Sequence, residues 1–270
     1  MNGLDAQVAA LLRQVAHEAV MPRYRNLRDS EIIEKATDDL VTVADREAEK
    51  MLSEGLADIM PQAAVVGEEA AFADATVLKR LSGLCWIIDP IDGTSNFASG
   101  SGHFALMVAL AEAGEAQAGW IYDPRRGRMC TATRGAGAHI DGERFHSRPS
   151  GHAPPTLAAM TRYMTSGQRS VFEREIAPRY TLVSAPGCAA EQYPLTAFGE
   201  HDIAIYERTL AWDHAAGALF LNEAGGKCAR QDGSAYRVDS DRKGMIAAAT
   251  PPIWEEFVSR LDRSGYRPGD

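Results

Sequence analysis

Trp86-Ile87-Ile88-Asp89-Pro90-Ile91-Asp92-Gly93-Thr94-Ser95-Asn96-Phe97 is the stretch on which the reading of this chain turns. The apolar run that starts at Leu84 has the length and composition of a buried strand. It delivers two carboxylates three residues apart, with Pro90 stiffening the loop between them. Gly93 permits a close approach of backbone to ligand, and the residues after it open a helix. The N–H groups of Gly93, Thr94 and Ser95 would then face an anion, most naturally phosphate. Carboxylates beside an anion repel it unless cations lie between them, and an all-oxygen donor set selects a hard divalent metal.

The same chemistry recurs at other segment ends. Glu68 and Glu69 follow Gly67 at the end of a predicted strand at Val65-Val66, and Asp213 stands where a helix begins, in Trp212-Asp213-His214-Ala215-Ala216-Gly217. Asp213 is expected to cap that helix while reaching a metal. Each feature alone has an ordinary explanation: a turn, a solvated acidic pair, a helix cap. Their joint occurrence carries the inference, because acidic side chains gathered from distant segments are costly unless metal or protonation neutralises them.

Helices are predicted over about residues 4–21 and from an N-cap at Asp45 through Met60, with 39–45 as an irregular or short extended segment leading in. Residues 103–111 and 116–122 read as adjacent antiparallel strands, with turns at Asp123–Gly127 and at Asp141-Gly142. The Pro-, Ser- and Gly-rich segment 147–156 is the expected boundary between an α+β domain, 1–146, and an α/β domain, 147–270. Beyond it, strands are predicted near 157–160, 180–184, 202–206 and 245–249. Helices are predicted near 167–177, 188–198 and 213–224, and after a cap at Thr250.

The chain has 270 residues, 45% of them hydrophobic, and a formal net charge of -9, which argues against a general binder of nucleic-acid backbone. No stretch approaches 18 consecutive apolar residues, so no membrane span is expected. No basic start precedes an apolar block at the N-terminus, which makes the cytoplasm the expected location. Cys85, Cys130, Cys188 and Cys228 are too widely spaced for a zinc knuckle or redox pair and read as reduced thiols.

Taken together, Lys35, Asp39–Asp45, Gly67-Glu68-Glu69, Trp86–Phe97, Trp212–Gly217 and Glu223-Ala224-Gly225-Gly226 resemble the inositol monophosphatase family, within the lithium-sensitive, magnesium-dependent sugar phosphatases. The resemblance spans most of the chain. It implies a layered αβαβα sandwich, an N-terminal antiparallel sheet with helices joined to a C-terminal mixed-sheet α/β region, and commonly a homodimer. It implies Glu69, Asp89 and the Ile91 carbonyl as ligands of one Mg²⁺, and Asp89, Asp92 and Asp213 as ligands of a second. Glu69 would also support a weaker third ion. Gly93, Thr94 and Ser95 match a phosphate-contacting loop, Thr94 and Asp45 a pair orienting the attacking water, and Lys35 a secondary electrostatic residue.

The activity so implied is hydrolysis of small phosphate monoesters by metal-activated water, with inositol monophosphate the best single substrate. A 3′(2′),5′-bisphosphate nucleotidase, another metabolite phosphatase such as a fructose-1,6-bisphosphatase or histidinol-phosphatase, and a regulatory interaction protein on the same scaffold are the alternatives. The substrate side departs from the inositol pattern. Gly187-Cys188-Ala189-Ala190 replaces a Gly-Ser/Thr-Ala-Ala segment. Tyr206 stands where a hydroxyl-binding glutamate is usual, with Glu207 one step later and, on an extended segment, facing the other way.

Overall fold

The computed structural model describes residues 3–36 and 39–270. In chain order the helices and strands are α1 (Gly3–Val15), β1 (Ile32–Ala36), β2 (Asp39–Thr42), α2 (Val43–Ile59), β3 (Ala64–Gly67), α3 (Glu68–Ala73), β4 (Cys85–Asp92), α4 (Thr94–Ala98), β5 (Ala105–Glu112), β6 (Glu115–Asp123), β7 (Arg128–Thr133), β8 (Gly137–Ile140) and β9 (Glu143–Phe145). They continue with β10 (Thr156–Ala159), α5 (Ser166–Val171), β11 (Thr181–Val183), α6 (Ala189–Phe198), β12 (Ile203–Tyr206), α7 (Ala211–Glu223), β13 (Lys227–Ala229), β14 (Met245–Ala248) and α8 (Pro251–Ser264).

Among the described residues, β3 to β9 form a sheet in sequence order, antiparallel except for the β3–β4 pair. A second, mixed sheet has the order β11-β10-β12-β14-β13. Helices α1 and α2 cover one face of the first sheet, α6 and α7 fill the space between the sheets, and α8 packs on the far side of the second. The result is the expected αβαβα sandwich. Residues from both sides of segment 147–156 share the middle core: Ile87, Met107 and Ile121 pack in one cluster with Tyr193, Phe220 and Ala247.

Small residues set the spacing of this core. A Cβ on Gly119 of β6 would lie 2.8 Å from the Cα of Ala216 in α7, and one on Gly217 would enter the Tyr193 ring. Gly119 and Ala216 therefore let α7 lie directly on the sheet while Gly217 admits the Tyr193 ring of α6, which together fix where the first turn of α7, with Asp213, projects.

Two expected caps fall elsewhere. The N-cap of α2 is Thr42, not Asp45: the Thr42 hydroxyl accepts from the Ala44 N–H at 3.1 Å, and Asp45, three residues on, accepts from the Thr42 N–H at 2.8 Å. This reciprocal box starts the helix three residues early. Asp213 sits in the first turn of α7 behind an N-cap at Leu210, and neither Leu210 nor Thr250 makes a side-chain capping bond. The first helix continues as a π-turn to Val20. All four cysteines are buried and unpaired by disulfides. Among the described residues no helix is long and apolar enough to cross a membrane.

Candidate active site

The decisive local feature is a bulge in β4. Asp89 pairs with Met107 of β5 and Asp92 with Ala105, so three steps on one strand match two on the other. In a regular strand, residues an odd number apart point to opposite faces. The extra residue cancels that alternation and lets both carboxylates face one pocket. Pro90 falls inside the bulge, where the ladder does not require its missing N–H.

That pocket, about 130 Å³, is lined by Glu68, Asp89, Asp92 and Asp213 together with Ile91 and the loop Gly93-Thr94-Ser95-Asn96. Gly93 has φ 89°, and a Cβ there would meet the His103 carbonyl at 2.7 Å, so both backbone conformation and space demand glycine. It leads directly into α4. Asn96 then ties this loop across the molecule, donating to the carbonyls of His103 at 2.7 Å and Pro186 at 3.0 Å.

The electrostatics are severe. Asp89 is only 2% exposed, and burial pushes its carboxyl well above the usual range, reinforced by the charges of Glu68, Asp92, Asp213 and Asp45. Burial also pushes Asp92 up to about 6, even though the Ala190 N–H and the Cys188 thiol bond to its Oδ2. Asp45 is fully buried and is pushed up to about 6 in the same way; hydrogen bonds from Thr42 and Thr94 oppose the shift and Glu69 adds to it. The Thr94 hydroxyl lies 3.0 Å from the Ile91 carbonyl and 3.2 Å from Asp45 Oδ1.

Four carboxylates facing one pocket, with a backbone carbonyl beside them and no soft ligand except a protonated thiol, suit a hard divalent cation. Among the described residues they are not already drawn together as a closed ligand group of three or more. They line one pocket together.

Of the residues singled out from sequence, Asp89, Ile91, Asp92, Gly93, Thr94, Ser95, Gly187 and Asp213 line this pocket. Of the pair Glu68-Glu69 it is Glu68 that does so, while Glu69 is not among the lining residues and its charge acts on Asp45. The structure thus moves the pocket position from Glu69 to its neighbour. Which of two adjacent glutamates in α3's first turn enters the pocket cannot be read from spacing alone, because neighbouring helical side chains diverge by about 100° and either could face it. The Lys35 side chain is outside the described residues.

Glu49 was not anticipated. Buried in α2, it accepts the N–H groups of Glu69 and Ala70, each at 2.8 Å, and so holds the turn that presents Glu68. The signal was available: Asp45 and Glu49 are acidic, four apart, on the helix face that otherwise carries Ala48 and Leu52. Cys188, Ala189 and Tyr206 line a second cavity, of about 90 Å³, that opens from the first.

Comparison with known proteins agrees with this geometry. The model of the inositol monophosphatase family matches residues 4–265. An inositol-1-monophosphatase of Bacillus subtilis is 30% identical over 227 residues, 82% of this chain and 84% of that protein. The Nus factor SuhB of Pseudomonas aeruginosa is 30% identical over 263 residues, 94% of each. The crystal structure of extragenic suppressor protein suhB from Bartonella henselae has a TM-score of 0.81 at 27% identity, covering 97% of this chain and 99% of its own. The chain belongs to the inositol monophosphatase family, and membership supports phosphatase activity in the broad sense.

Proposed function

We propose that this chain hydrolyses small phosphate monoesters with Mg²⁺, and that Glu68, Asp89, the Ile91 carbonyl, Asp92 and Asp213 hold the ions. The observation that carries the reading is the β4 bulge, which turns Asp89 and Asp92 into the pocket that Glu68, Asp213 and Thr94 also line. Bound there, divalent cations would neutralise the carboxylates, activate water and stabilise charge on the departing oxygen.

The chain's own groups supply the rest. The Thr94 hydroxyl can accept a hydrogen bond from a water in the pocket while its proton points to Asp45 or Ile91. Asp45, raised to about 6, accepts from the Thr94 hydroxyl and can take a proton at that end of the relay. Gly93, Thr94 and Ser95 present backbone N–H groups to phosphate oxygens, where positioning and electrostatics do most of the work of phosphoryl transfer.

Inositol monophosphate is the first substrate to test, on the printed name of the Bacillus subtilis relative. The inositol pattern is not restored by Glu207: its carboxylate accepts from the Tyr266 hydroxyl, from Gln168 at 3.0 Å and from the Gly269 N–H at 2.6 Å. Committed there, it does not replace the glutamate that Tyr206 displaces. Phosphate release measured across a monoester panel, with and without Mg²⁺, tests the reading. Turnover that needs Mg²⁺ and stops with a chelator is expected; turnover indifferent to chelation, or none on any monoester, would contradict it.

A further inference from the structure

A third cavity, of about 450 Å³, lies among the segments 230–232 after β13, 242–244 before β14 and 267–270 after α8. It shares no lining residue with the two cavities of the candidate active site. In its wall Arg230 is only 2% exposed, yet among the described residues it makes no ion pair with a carboxylate. Its Nη1 donates to the Thr209 hydroxyl at 3.1 Å and to the Gly244 carbonyl at 2.7 Å, and its guanidinium carbon lies 5.2 Å from the centroid of the Tyr236 ring. Its Nη2 is buried without a partner among the described residues. Burial, and the charge of Arg242 beside it, hold this guanidinium below its usual range.

The next residue has the complementary want. Gln231 donates through Nε2 to Asp262 Oδ1 at 2.8 Å, which sets the orientation of its amide, and its Oε1 is left buried with no donor among the described residues. An unpaired donor and an unpaired acceptor thus stand on adjacent residues of one cavity wall, each at a cost until a partner meets it. The acids of the lining are occupied elsewhere. Asp232 sits 2.8 Å from Arg242, Asp262 sits 3.5 Å from Arg267, and the charge of Asp270 bears on Glu207. With those two pairs matched, buried Arg230 and exposed Lys243 are the cations left over, against Asp270.

This combination selects among anions. A guanidinium and an ammonium attract any oxyanion, but an amide oxygen only accepts and so disfavours an oxygen that carries no proton. Sulfate, a carboxylate and the dianion of a phosphate monoester have no such proton. Hydrogen phosphate has one, and three further oxygens to accept from cations. We propose that this cavity is a site for inorganic hydrogen phosphate, separate from the catalytic pocket, in which Arg230 and Lys243 hold the anion and Gln231 accepts from its P–OH. The ligand is the product of the hydrolysis inferred above, but the site stands on its own residues and does not depend on that reading.

Calorimetric titration of inorganic phosphate and of sulfate into the full chain with Mg²⁺ tests it. A saturable phosphate site is expected to persist in Asp89→Asn, which sets aside binding at the catalytic pocket. Its affinity is expected to exceed that for sulfate by about tenfold or more, the order of one hydrogen bond to a buried group. Arg230→Met is expected to weaken it by about tenfold or more, and Gln231→Met to bring phosphate within about threefold of sulfate. Lys243→Met, at an exposed position that leaves the fold intact, is expected to weaken it by about threefold, so the test does not hang on how well Arg230→Met folds. No phosphate site in Asp89→Asn, sulfate bound as tightly as phosphate, or a site indifferent to Arg230→Met and Lys243→Met would overturn the inference. So would binding that appears only in Asp270→Asn, which would make Asp270 the natural partner of Arg230. Each of these leaves the phosphatase reading standing, because that reading is decided by turnover.

Discussion

The carboxylate end of the active-site cavity and its arginine end are built in opposite ways. The first is made of backbone: a bulge in a central strand, a glycine with no room for a Cβ, and helix turns whose approach is set by Ala216 and Gly217. Its side chains are half-buried or buried and held by short local bonds. The second is made of side chains from two loops, Arg162-Tyr163 after β10 and Arg208 after β12, exposed and held by one another. A rigid scaffold at the reacting phosphate and exchangeable loop residues at the leaving group allow one chemistry to serve many alcohols.

Substitutions that respect this division should differ in kind. Asp89→Asn removes the most buried charge of the pocket, and turnover should fall by on the order of a thousandfold while the thermal midpoint holds or rises, since a costly buried charge is gone. A loss of folding in place of activity would mean that the bulge is structural only. Glu68→Gln and Glu69→Gln separate the adjacent pair: about a hundredfold loss of kcat at fixed Mg²⁺ for the first, less than about threefold for the second. The reverse order would restore Glu69 to the pocket. At saturating Mg²⁺, Thr94→Ala should lower kcat by about tenfold to a hundredfold with Mg²⁺ affinity little changed, the range of a positioned proton-transfer partner.

Away from both ends, Asp202 gives a purely structural contrast. It accepts from the N–H groups of Ser150 and Thr156, both at 2.8 Å, and from their hydroxyls, so it anchors the chain where the second sheet begins. Burial works to raise its carboxyl; the bonds from Ser150 and then Thr156 outweigh that and leave it below the ordinary range. A folded pKa below the unfolded one gives stability that is present above the ordinary carboxylate range and lost as pH falls through the folded value. Asp202→Asn should cost about 1–3 kcal/mol near neutrality and flatten that acid-side loss in chemical denaturation, with kcat unchanged. The smallest effect belongs to Tyr206→Phe. Among the described residues no partner lies within hydrogen-bonding geometry of its hydroxyl, so kcat/KM should move less than about twofold and stability should hold or rise.

The same division decides what sequence could reveal. The strand and loop from Trp86 to Phe97 are contiguous, so spacing alone exposes two carboxylates, the glycine and the phosphate loop. Helix α7 is legible for a related reason, because its small residues are packing requirements written in order. What spacing could not supply was parity: whether Glu68 or Glu69 faces inward depends on the turn that Glu49 holds, twenty residues upstream. Arg162, Tyr163 and Arg208 were invisible because nothing local marks an exposed arginine as facing a cavity. Their meaning comes only from β10 and β12 lying side by side in parallel. The displacement of Glu207 was readable from the alternation of an extended strand, but its true partners, Gln168, Tyr266 and Gly269, were not.

The central claim is that the carboxylates of the β4 bulge and of α7 gather divalent cations at the phosphate pocket. Anomalous diffraction from crystals soaked in Mn²⁺ tests it most directly. The account predicts Mn²⁺ peaks within coordinating distance of Asp89 that share Asp92 and Asp213, with Glu68 joining one of them. A saturated crystal with Mn²⁺ bound elsewhere and none at Asp89 would contradict it.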